Sequence, residues 1–274
     1  MSLQPILNEV IGLPDSVKFN ISHRAEYCDI ENLRLDGTHI HSCYEIYVNI
    51  AGDVSFFHNQ KIYDVSPCDV IFSRPGDIHY CIYHSSCLHD HYCIWFEDSS
   101  GALDEYIRRL AVPPAVCLPP AQKEQLLTLL CELESLTLDP LLKLAKLIEL
   151  LSLFGSGSPI RTDAVAGRPR KVQDILSYMD AHYKEIGTSK DVAKTFFVSE
   201  STLNRLFRRY VGMTVSQIID ARRLSNAERL LRDGASVTDA CFLSGFTDCS
   251  RFIALFRKTF GVTPLRYKQA IYKK

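Results

Sequence analysis

The side chains best suited to chemistry cluster in the stretch His39-Ile-His41-Ser-Cys-Tyr-Glu45, followed by Gly52 and later by Pro75-Gly76-Asp-Ile-His79. On a β-strand, residues two and six positions apart share a face, so His39, His41 and Glu45 are expected to point the same way. His79 can join them from a neighbouring strand. Three imidazoles and one carboxylate suit a divalent transition metal, but they equally suit a hydrogen-bonded core cluster or a polar ligand pocket.

Further polar or soft side chains alternate along the chain beyond this cluster. His91 and Cys93 begin the run His91–Phe96, which is typical of a strand, whereas His89 is expected to belong to the preceding loop. An aromatic lining with a few polar groups would suit a sugar or another small polar metabolite. The predicted effector-binding residues are His39, His41, Glu45, His79, Cys81, His91 and Cys93.

The elements that position these side chains are short β-rich runs separated by turn residues. The runs are Tyr44–Ile50, Val54–Phe57, Ile62–Val65, Val70–Ser73, His79–Tyr83 and His91–Phe96. Such regular spacing is typical of a closed barrel or a sandwich. Helical spacing then follows at Leu103–Leu110, Gln122–Leu136 and Asp139–Phe154, so a β-barrel with accessory helices is predicted.

Length and charge divide the 274 residues into two domains. Residues 1–165 hold 11 Lys and Arg against 22 Asp and Glu, while residues 166–274 hold 20 against 10. The basic part favours a polyanionic partner such as nucleic acid, which the acidic part would repel. A stretch rich in Gly, Ser and Pro marks the junction. We predict an α+β protein with domains at 1–155 and 171–274 and a linker at 156–170.

Targeting signals are not evident in this sequence. No run approaches the roughly 18 uncharged apolar residues of a membrane helix, and the first residues lack the pattern of a signal peptide. Eight of the ten cysteines precede residue 132, and in a protein that is not exported they are expected to be reduced. The sequence therefore predicts a cytoplasmic protein without a membrane partner.

The C-terminal domain contains a weak internal repeat. Leu206–Thr214 aligns with Leu255–Thr263 after a shift of 49 residues. Each copy is preceded by a helix entry with a hydroxyl residue and an acid three positions later, at Thr188-Ser-Lys-Asp191 and Ser236-Val-Thr-Asp239. A short turn and a second helix follow each entry, so a helix-turn-helix is predicted twice.

The second helix of a helix-turn-helix lies in the DNA major groove and exposes its early residues to base edges. Arginine can hold guanine and asparagine can hold adenine through paired hydrogen bonds, so Arg205 and Asn204 are the predicted base readers. The outward residues of the first copy are Ser201, Asn204, Arg205 and Arg208. Those of the second copy are Cys249, Ser250, Arg251 and Ala254, which offer fewer strong readers.

These residues place the chain close to a known family. The run Val237–Pro264, with Gly245-Phe246 and Phe260-Gly261-Val-Thr263, closely resembles the signature of AraC/XylS-type bacterial transcription regulators. The resemblance implies seven helices, with two recognition helices in successive major grooves roughly 34 Å apart. Two departures affect the second copy: Ala254 stands where a long polar side chain is frequent, and Cys241-Phe242 replaces a smaller, more polar pair.

The histidine cluster resembles the cupin barrel, which serves many such regulators as a sensor domain and is a metal enzyme in other proteins. The resemblance implies a metal-free pocket for a sugar or another small effector at these residues. The predicted function is a ligand-responsive, DNA-binding transcription regulator without a cofactor. The alternative is a metal-dependent cupin enzyme that uses His39, His41, Glu45 and His79.

Partners follow from this prediction. They are double-stranded promoter DNA, a small-molecule effector, a second copy of the chain and, for an activator, RNA polymerase. The homodimer is expected from two leucine-rich stripes in the predicted helices Gln122–Leu136 and Asp139–Phe154, which offer more apolar surface than one barrel contact would cover. The stripes are Leu126, Leu129, Leu130 and Leu133, and Leu141, Leu144, Leu147, Ile148, Leu151 and Phe154.

Overall fold

A computed structural model describes residues 16–29, 40–59, 61–135, 139–160 and 169–272. Within these residues a sheet-rich domain precedes an all-helical one. The strands are β1 (Val17–Cys28), β2 (Tyr44–Ala51), β3 (Val54–His58), β4 (Lys61–Asp64), β5 (Val70–Ser73), β6 (His79–Tyr83), β7 (Cys87–Asp98), β8 (Ala115–Cys117) and β9 (Ser158–Pro159). The helices of the first domain are α1 (Ala102–Leu110), α2 (Pro120–Glu134) and α3 (Pro140–Gly155).

The strands form two sheets that face each other. The larger sheet has the order β1-β7-β2-β5-β8-β9, and the smaller one has the order β4-β3-β6. Across the gap, the Tyr47 ring of the larger sheet lies 4.7 Å from the Phe56 ring of the smaller sheet. The spacing of the β-rich runs was compatible with either a closed barrel or a sandwich. Among the described residues no strand pairing joins the two sheets, so the domain is a sandwich, and its interior is partly polar.

Alternation along β2 assigns its side chains to two environments. Tyr44, Ile46 and Val48 belong to a core formed with the accessory helices. The intervening residues Glu45 and Tyr47 face the interior between the sheets, because side chains two positions apart share a face. The accessory helices therefore close one face of the large sheet and leave its other face toward the interior between the sheets.

The leucine stripes of α2 and α3 are covered within the chain itself. Leu126, Leu130 and Leu151 are fully buried in the core that the helices share with the large sheet. Leu141 and Leu142 at the start of α3 remain about half exposed, at 49% and 52%. The apolar surface that suggested a dimer is thus largely used for packing the monomer.

The helical domain has the organisation that the repeat predicted. Its helices are α4 (Arg170–His182), α5 (Ser189–Thr195), α6 (Glu200–Tyr210), α7 (Val215–Arg232), α8 (Val237–Leu243), α9 (Cys249–Phe260) and α10 (Pro264–Tyr272). Helices α5 and α6 form the first helix-turn-helix, and α8 and α9 form the second. Reciprocal capping boxes begin α5 and α7.

The two turns differ in the residue that adopts a left-handed backbone. Gly245 in the second turn has φ +95°, which costs glycine little, but the first turn places Phe197 at φ +52°. The Phe197 side chain is 94% exposed and so contributes little packing in return. The first turn is therefore strained at this residue.

The variant Phe197→Gly is expected to stabilise the helical domain by about 1 kcal/mol, since glycine relieves the left-handed strain and little packing is lost. Phe197→Ala is the matched control, because it removes the ring but keeps a Cβ at the same φ. Urea unfolding followed by far-ultraviolet circular dichroism measures both. Equal stabilisation by the two variants would assign the effect to the exposed ring instead of the backbone.

The outer face of the small sheet packs on the helical domain. Phe57, Ile62 and Ile82 belong to the same buried cluster as the core residues of α4 to α9. Tyr80 donates a hydrogen bond from its hydroxyl to the carbonyl oxygen of Val211, at 2.5 Å, just after α6 ends. The strand that carries His79 on its inner face therefore touches the first helix-turn-helix with its outer face.

No helix within the described residues is long and apolar enough to cross a membrane.

Candidate functional site

The interior cluster is centred on the carboxylate of Glu45. The Nε2 atoms of His41 and His79 each lie 3.1 Å from Glu45 Oε2, and the Trp95 indole donates to the same oxygen at 2.8 Å. His79 comes from β6 as expected, whereas His41 precedes β2 and reaches Glu45 from the loop rather than from a shared strand. His39, the fourth member of the predicted cluster, lies outside the described residues.

The charge of Glu45 is set by these neighbours. Burial alone would raise its pKa, but the hydrogen bonds and charges of His41 and His79 lower the pKa of this carboxyl well below its usual range. Glu45 is therefore an anion at neutral pH. The interior between the sheets therefore holds a buried carboxylate that is paired with two imidazoles.

The cluster also meets the basic requirements of a metal site. One ligand atom from each of His41, Glu45 and His79 can be chosen so that all lie within 4.8 Å of one another. His79 Nδ1 donates to the Asp77 carbonyl oxygen at 3.0 Å. This hydrogen bond orients the His79 ring so that Nε2 faces Glu45, as the second hydrogen bond of a metal-binding histidine does. The arrangement suits a divalent transition metal by ligand type, although the Trp95 hydrogen bond already satisfies the oxygen that faces both imidazoles.

A second part of the interior lies further along β2 and β7, where Asn49 pairs in register with His91. The Tyr47 hydroxyl lies 2.9 Å from His89 Nε2 and donates to Asn49 Oδ1 at 3.3 Å. Asn49 Nδ2 and His91 Nδ1 are buried and make no hydrogen bond. Unpaired buried polar atoms are costly, so a bound polar molecule that supplied partners for them would be favoured.

His89 was expected in a loop, and that expectation was wrong. Strand β7 begins at Cys87, so His89 is a strand residue that is 2% exposed and stacks on His91 with ring centroids 4.3 Å apart. Tyr47, Asn49 and Trp95 are further interior residues that the site prediction missed. Alternation from Glu45 along β2, and from His91 along β7, was the signal that could have found them.

The two predicted cysteines of the site also face the interior. Cys81 and Cys93 pack at the edge of the interior cluster that contains Tyr47 and Phe56. Burial raises the pKa of Cys81 to about 12 and that of Cys93 well above its ordinary value. Both are neutral thiols, which suits the wall of a binding cavity better than nucleophilic chemistry.

His91 gives the cavity a measurable pH dependence. Burial first, and then His89 and Arg24, lower its pKa to about 4 from 6.5. A histidine with a depressed folded-state pKa contributes full stability above its unfolded pKa and loses it as the pH falls toward the folded pKa. We expect the β-domain to lose roughly 3 kcal/mol between pH 7 and pH 4 through this group.

The variant His91→Gln should therefore flatten the stability profile between pH 7 and pH 4. Trp95 is the sole tryptophan of the chain, so its fluorescence during urea unfolding reports on the β-domain alone. His182→Gln, an exposed change in the helical domain, is the control and should leave the profile unchanged. A wild-type slope retained in His91→Gln would show that other groups cause the acid sensitivity.

The loop between β5 and β6 links the cluster around Glu45 to the helical domain. The Gly76 amide donates to the His41 carbonyl oxygen at 2.9 Å, while the Gly76 carbonyl oxygen accepts from the Ser225 hydroxyl of α7 at 2.6 Å. Gly76 has φ +83°, and a Cβ at this position would lie 2.9 Å from a carboxylate oxygen of Glu228 on α7. The backbone conformation thus favours glycine, and any larger residue would also have to displace the Glu228 side chain.

The first recognition helix, α6, presents a groove of about 530 Å³. It is lined by the predicted readers Ser201, Asn204, Arg205 and Arg208, together with Arg209. Leu203 and Phe207 are fully buried beneath it and anchor the helix. Asn204 is half-buried, and its Oδ1 is a buried atom without a hydrogen bond within the chain.

The second recognition helix, α9, differs from expectation at its first residue. Cys249 does not point outward with Ser250 and Ala254, because it is half-buried and its Sγ lies 3.3 Å from Cys241 Sγ on α8. Arg251 is exposed but donates to the Asp220 carboxylate of α7 at 2.6 Å. The second helix therefore offers fewer available base readers than the first.

The domain families to which the two halves are similar agree with this geometry. Residues 26–151 match the AraC-like ligand binding domain, and residues 192–270 match a helix-turn-helix domain. The chain thus joins a ligand-binding domain to a DNA-binding domain. It belongs to the AraC-type transcription regulators.

Individual relatives are similar over about a third of the chain. The HTH-type transcriptional activator RhaS of Escherichia fergusonii is 31% identical over 100 residues, which is 36% of each chain. RhaS of Escherichia coli is 33% identical over 96 residues, 35% of this chain and 34% of the relative. The chain therefore matches about a third of the length of these curated relatives.

Solved structures with a detectable likeness include ToxT from Vibrio cholerae, which is 13% identical with a TM-score of 0.38 and covers 95% of this chain and 100% of that one. The DNA-binding domain of AdpA in complex with a target DNA is 26% identical with a TM-score of 0.34. That match covers 35% of this chain and 88% of the AdpA chain.

Proposed function

We propose that this protein is a cytoplasmic transcription regulator that binds promoter DNA and changes its DNA affinity when a small neutral, hydroxyl-rich molecule such as a sugar enters the β-domain. The observation that carries the proposal is the double role of β6. His79 faces the polar cluster around Glu45, while the next residue, Tyr80, is hydrogen-bonded to Val211, just after the first recognition helix.

The chemistry of the cavity supports a neutral effector. Glu45 is an anion that is paired with His41 and His79, and His89, His91 and the buried thiols are held neutral. Hydroxyl groups can donate to Glu45 and also pair with the unsatisfied atoms of Asn49 and His91. The rings of Tyr47 and Phe56, tilted by 39° to each other, supply the apolar surface that a sugar ring can pack against.

The transmission of the signal follows the loop beside the cavity. An effector that moves His41 or His79 also moves the backbone of Gly76, which is bonded to His41 on one side and to Ser225 on the other. Arg232 adds a weaker contact to the Pro75 carbonyl oxygen at 3.4 Å. Helix α7 joins the two helix-turn-helix units. A shift of α7 therefore changes the position of one recognition helix relative to the other.

DNA selection tests the proposal directly. The full-length protein would select duplexes from a random-sequence library, and fluorescence anisotropy would then measure its affinity for the selected duplex with each member of a panel of free sugars. We expect sequence-selective binding and a change in affinity with at least one neutral sugar. Binding that is equal for selected and scrambled duplexes would contradict the proposal.

We also propose that no resident metal or other cofactor is needed for sensing, since Glu45 Oε2 already lies within hydrogen-bond distance of Trp95, His41 and His79. A bound divalent metal would be held by His41, Glu45 and His79. Metal analysis of the purified protein by mass spectrometry decides the point. Stoichiometric metal, with turnover of a substrate, would favour the enzyme alternative.

A homodimer remains part of the proposed function, with α3 as the contact. Apart from Leu141, the stripes that suggested it are largely buried, so Leu141 and Leu142 are the large exposed apolar residues of this helix. Sedimentation velocity at tens of micromolar should show a dimer that Leu142→Glu dissociates without unfolding the protein. Substitution of Leu151 would be a poor test, because Leu151 is fully buried. A monomeric wild-type protein would rule the dimer out.

The relatives named as transcriptional activators support activation as the mode of action, with RNA polymerase as the further partner.

A further inference from the structure

The second helix-turn-helix contains two thiols in contact across its turn. Cys241 of α8 is fully buried, Cys249 is the first residue of α9, and their sulfur atoms are 3.3 Å apart. Both are free thiols. Since a disulfide has an S–S length of about 2.05 Å, an approach of only about 1 Å would bring the sulfurs to bonding distance.

The helix-turn-helix fold does not require cysteines at the positions of Cys241 and Cys249. In the first helix-turn-helix, Ala193 takes the position of Cys241, because the backbone bond from Val198 to Ala193 matches that from Phe246 to Cys241. The first residue of the first recognition helix is Glu200, in place of Cys249. The same motif is therefore built once without thiols, and the dithiol is an addition to the second copy.

We propose that Cys241 and Cys249 form a modification site that exchanges with low-molecular-weight disulfides, and that the resulting internal disulfide weakens DNA binding by α9. The first part is independent of the function proposed above. The second part rests on DNA recognition by the helical domain.

The exchange balances in two steps. The Cys249 thiolate attacks one sulfur of glutathione disulfide, which breaks that S–S bond and releases one glutathione as its thiolate. The Cys241 sulfur then attacks the Cys249 sulfur, loses its proton and displaces the second glutathione. One protein dithiol is oxidised and one glutathione disulfide is reduced to two glutathione molecules.

The environments of the two sulfurs favour this order. Cys249 is the more exposed thiol and is the one an external disulfide can reach. Burial, together with the neighbouring Cys249, raises the pKa of Cys241 to about 12, so Cys241 is a poor first nucleophile. Its attack in the second step is intramolecular, and proximity offsets the low thiolate fraction.

The new bond would act on the residues that follow Cys249. Ser250 and Arg251 begin the face of α9 that is expected to meet DNA, and the Arg251 guanidinium is held by Asp220 of α7. Drawing the first residue of α9 toward α8 shifts this face against the α7 anchor. Base contacts depend on placement within a fraction of an ångström, so oxidation should lower affinity about tenfold.

The chemical part is tested in glutathione buffers of increasing disulfide fraction. Both cysteines fall in one tryptic peptide, between Arg232 and Arg251, so an internal disulfide removes two hydrogen masses from it and protects it from alkylation. We expect this in the wild type and in the control Cys117→Ser, whose exposed thiol lies in the β-domain. A peptide that stays reduced, or carries only glutathione, would overturn the proposal.

The functional part is tested with the duplex that the reduced wild-type protein selects from a random library. Oxidation should weaken wild-type binding about tenfold, dithiothreitol should restore it, and Cys249→Ser and Cys241→Ala should be insensitive to both. Unchanged affinity of the oxidised protein, or equal loss in Cys249→Ser, would overturn it. Failure of the reduced protein to select any duplex would instead contradict the proposed function.

Discussion

Arg205→Ala is expected to cost roughly 1–3 kcal/mol of binding free energy on the preferred duplex and to relax selectivity at one base pair. Arg205 is exposed in the groove of α6 beside Asn204, and Leu203 and Phe207 hold the helix rigidly beneath it. A guanidinium on such a support can form two parallel hydrogen bonds with guanine. Its loss removes contacts that a wrong base pair could not make, so specificity falls with affinity.

Lys258→Ala is the matched control for this prediction. Lys258 is exposed in the last turn of α9, away from the early residues that reach base edges, and is expected to contact phosphate at most. Its removal should weaken preferred and scrambled duplexes alike and flatten the salt dependence. Anisotropy titrations on both duplexes at several salt concentrations measure the difference. Equal losses on both duplexes for Arg205→Ala would refute its role as a base reader.

Strands in which short apolar runs are flanked by turn residues were predictable from sequence, and strands without such a pattern were not. Strands β5 and β6 have the predicted bounds because turn residues flank short apolar runs. Strand β1 was missed, since its second half, from His23 to Tyr27, is polar and exposed at the edge of the large sheet. Strand β8 was missed because three residues are too few to show a period.

The sequence indicated which residue types form the site, but it did not predict how those residues meet in space. His41 and Glu45 were expected to meet along one strand and instead meet because a loop folds back onto β2. For Cys249, the helical wheel predicted an outward side chain, but it ignored the thiol on α8 that draws it inward. Contacts between elements distant in sequence, such as Tyr80 with Val211, leave no local pattern from which to predict them.

His79→Ala and Tyr80→Phe are expected to separate effector binding from its transmission, because these neighbours on β6 face opposite sides of the small sheet. His79→Ala removes a partner of Glu45 in the cavity, so effector binding and the effector-dependent change in DNA affinity should both be lost. His41→Ala, at a more exposed position, should have the same effect with less risk to folding. Affinity for DNA without effector should stay within about twofold in both variants.

Tyr80→Phe keeps the cavity and removes only the hydrogen bond to Val211, so the effector should still bind while the DNA response weakens. Trp95 donates to Glu45 and its fluorescence reports effector binding, and anisotropy on the selected duplex reports the response. If Tyr80→Phe reduced effector binding as strongly as His79→Ala, the strand would be only a structural support. If Tyr80→Phe left both measurements at their wild-type values, the signal would have to pass through Gly76 and Ser225 alone, and Ser225→Ala would then abolish the response.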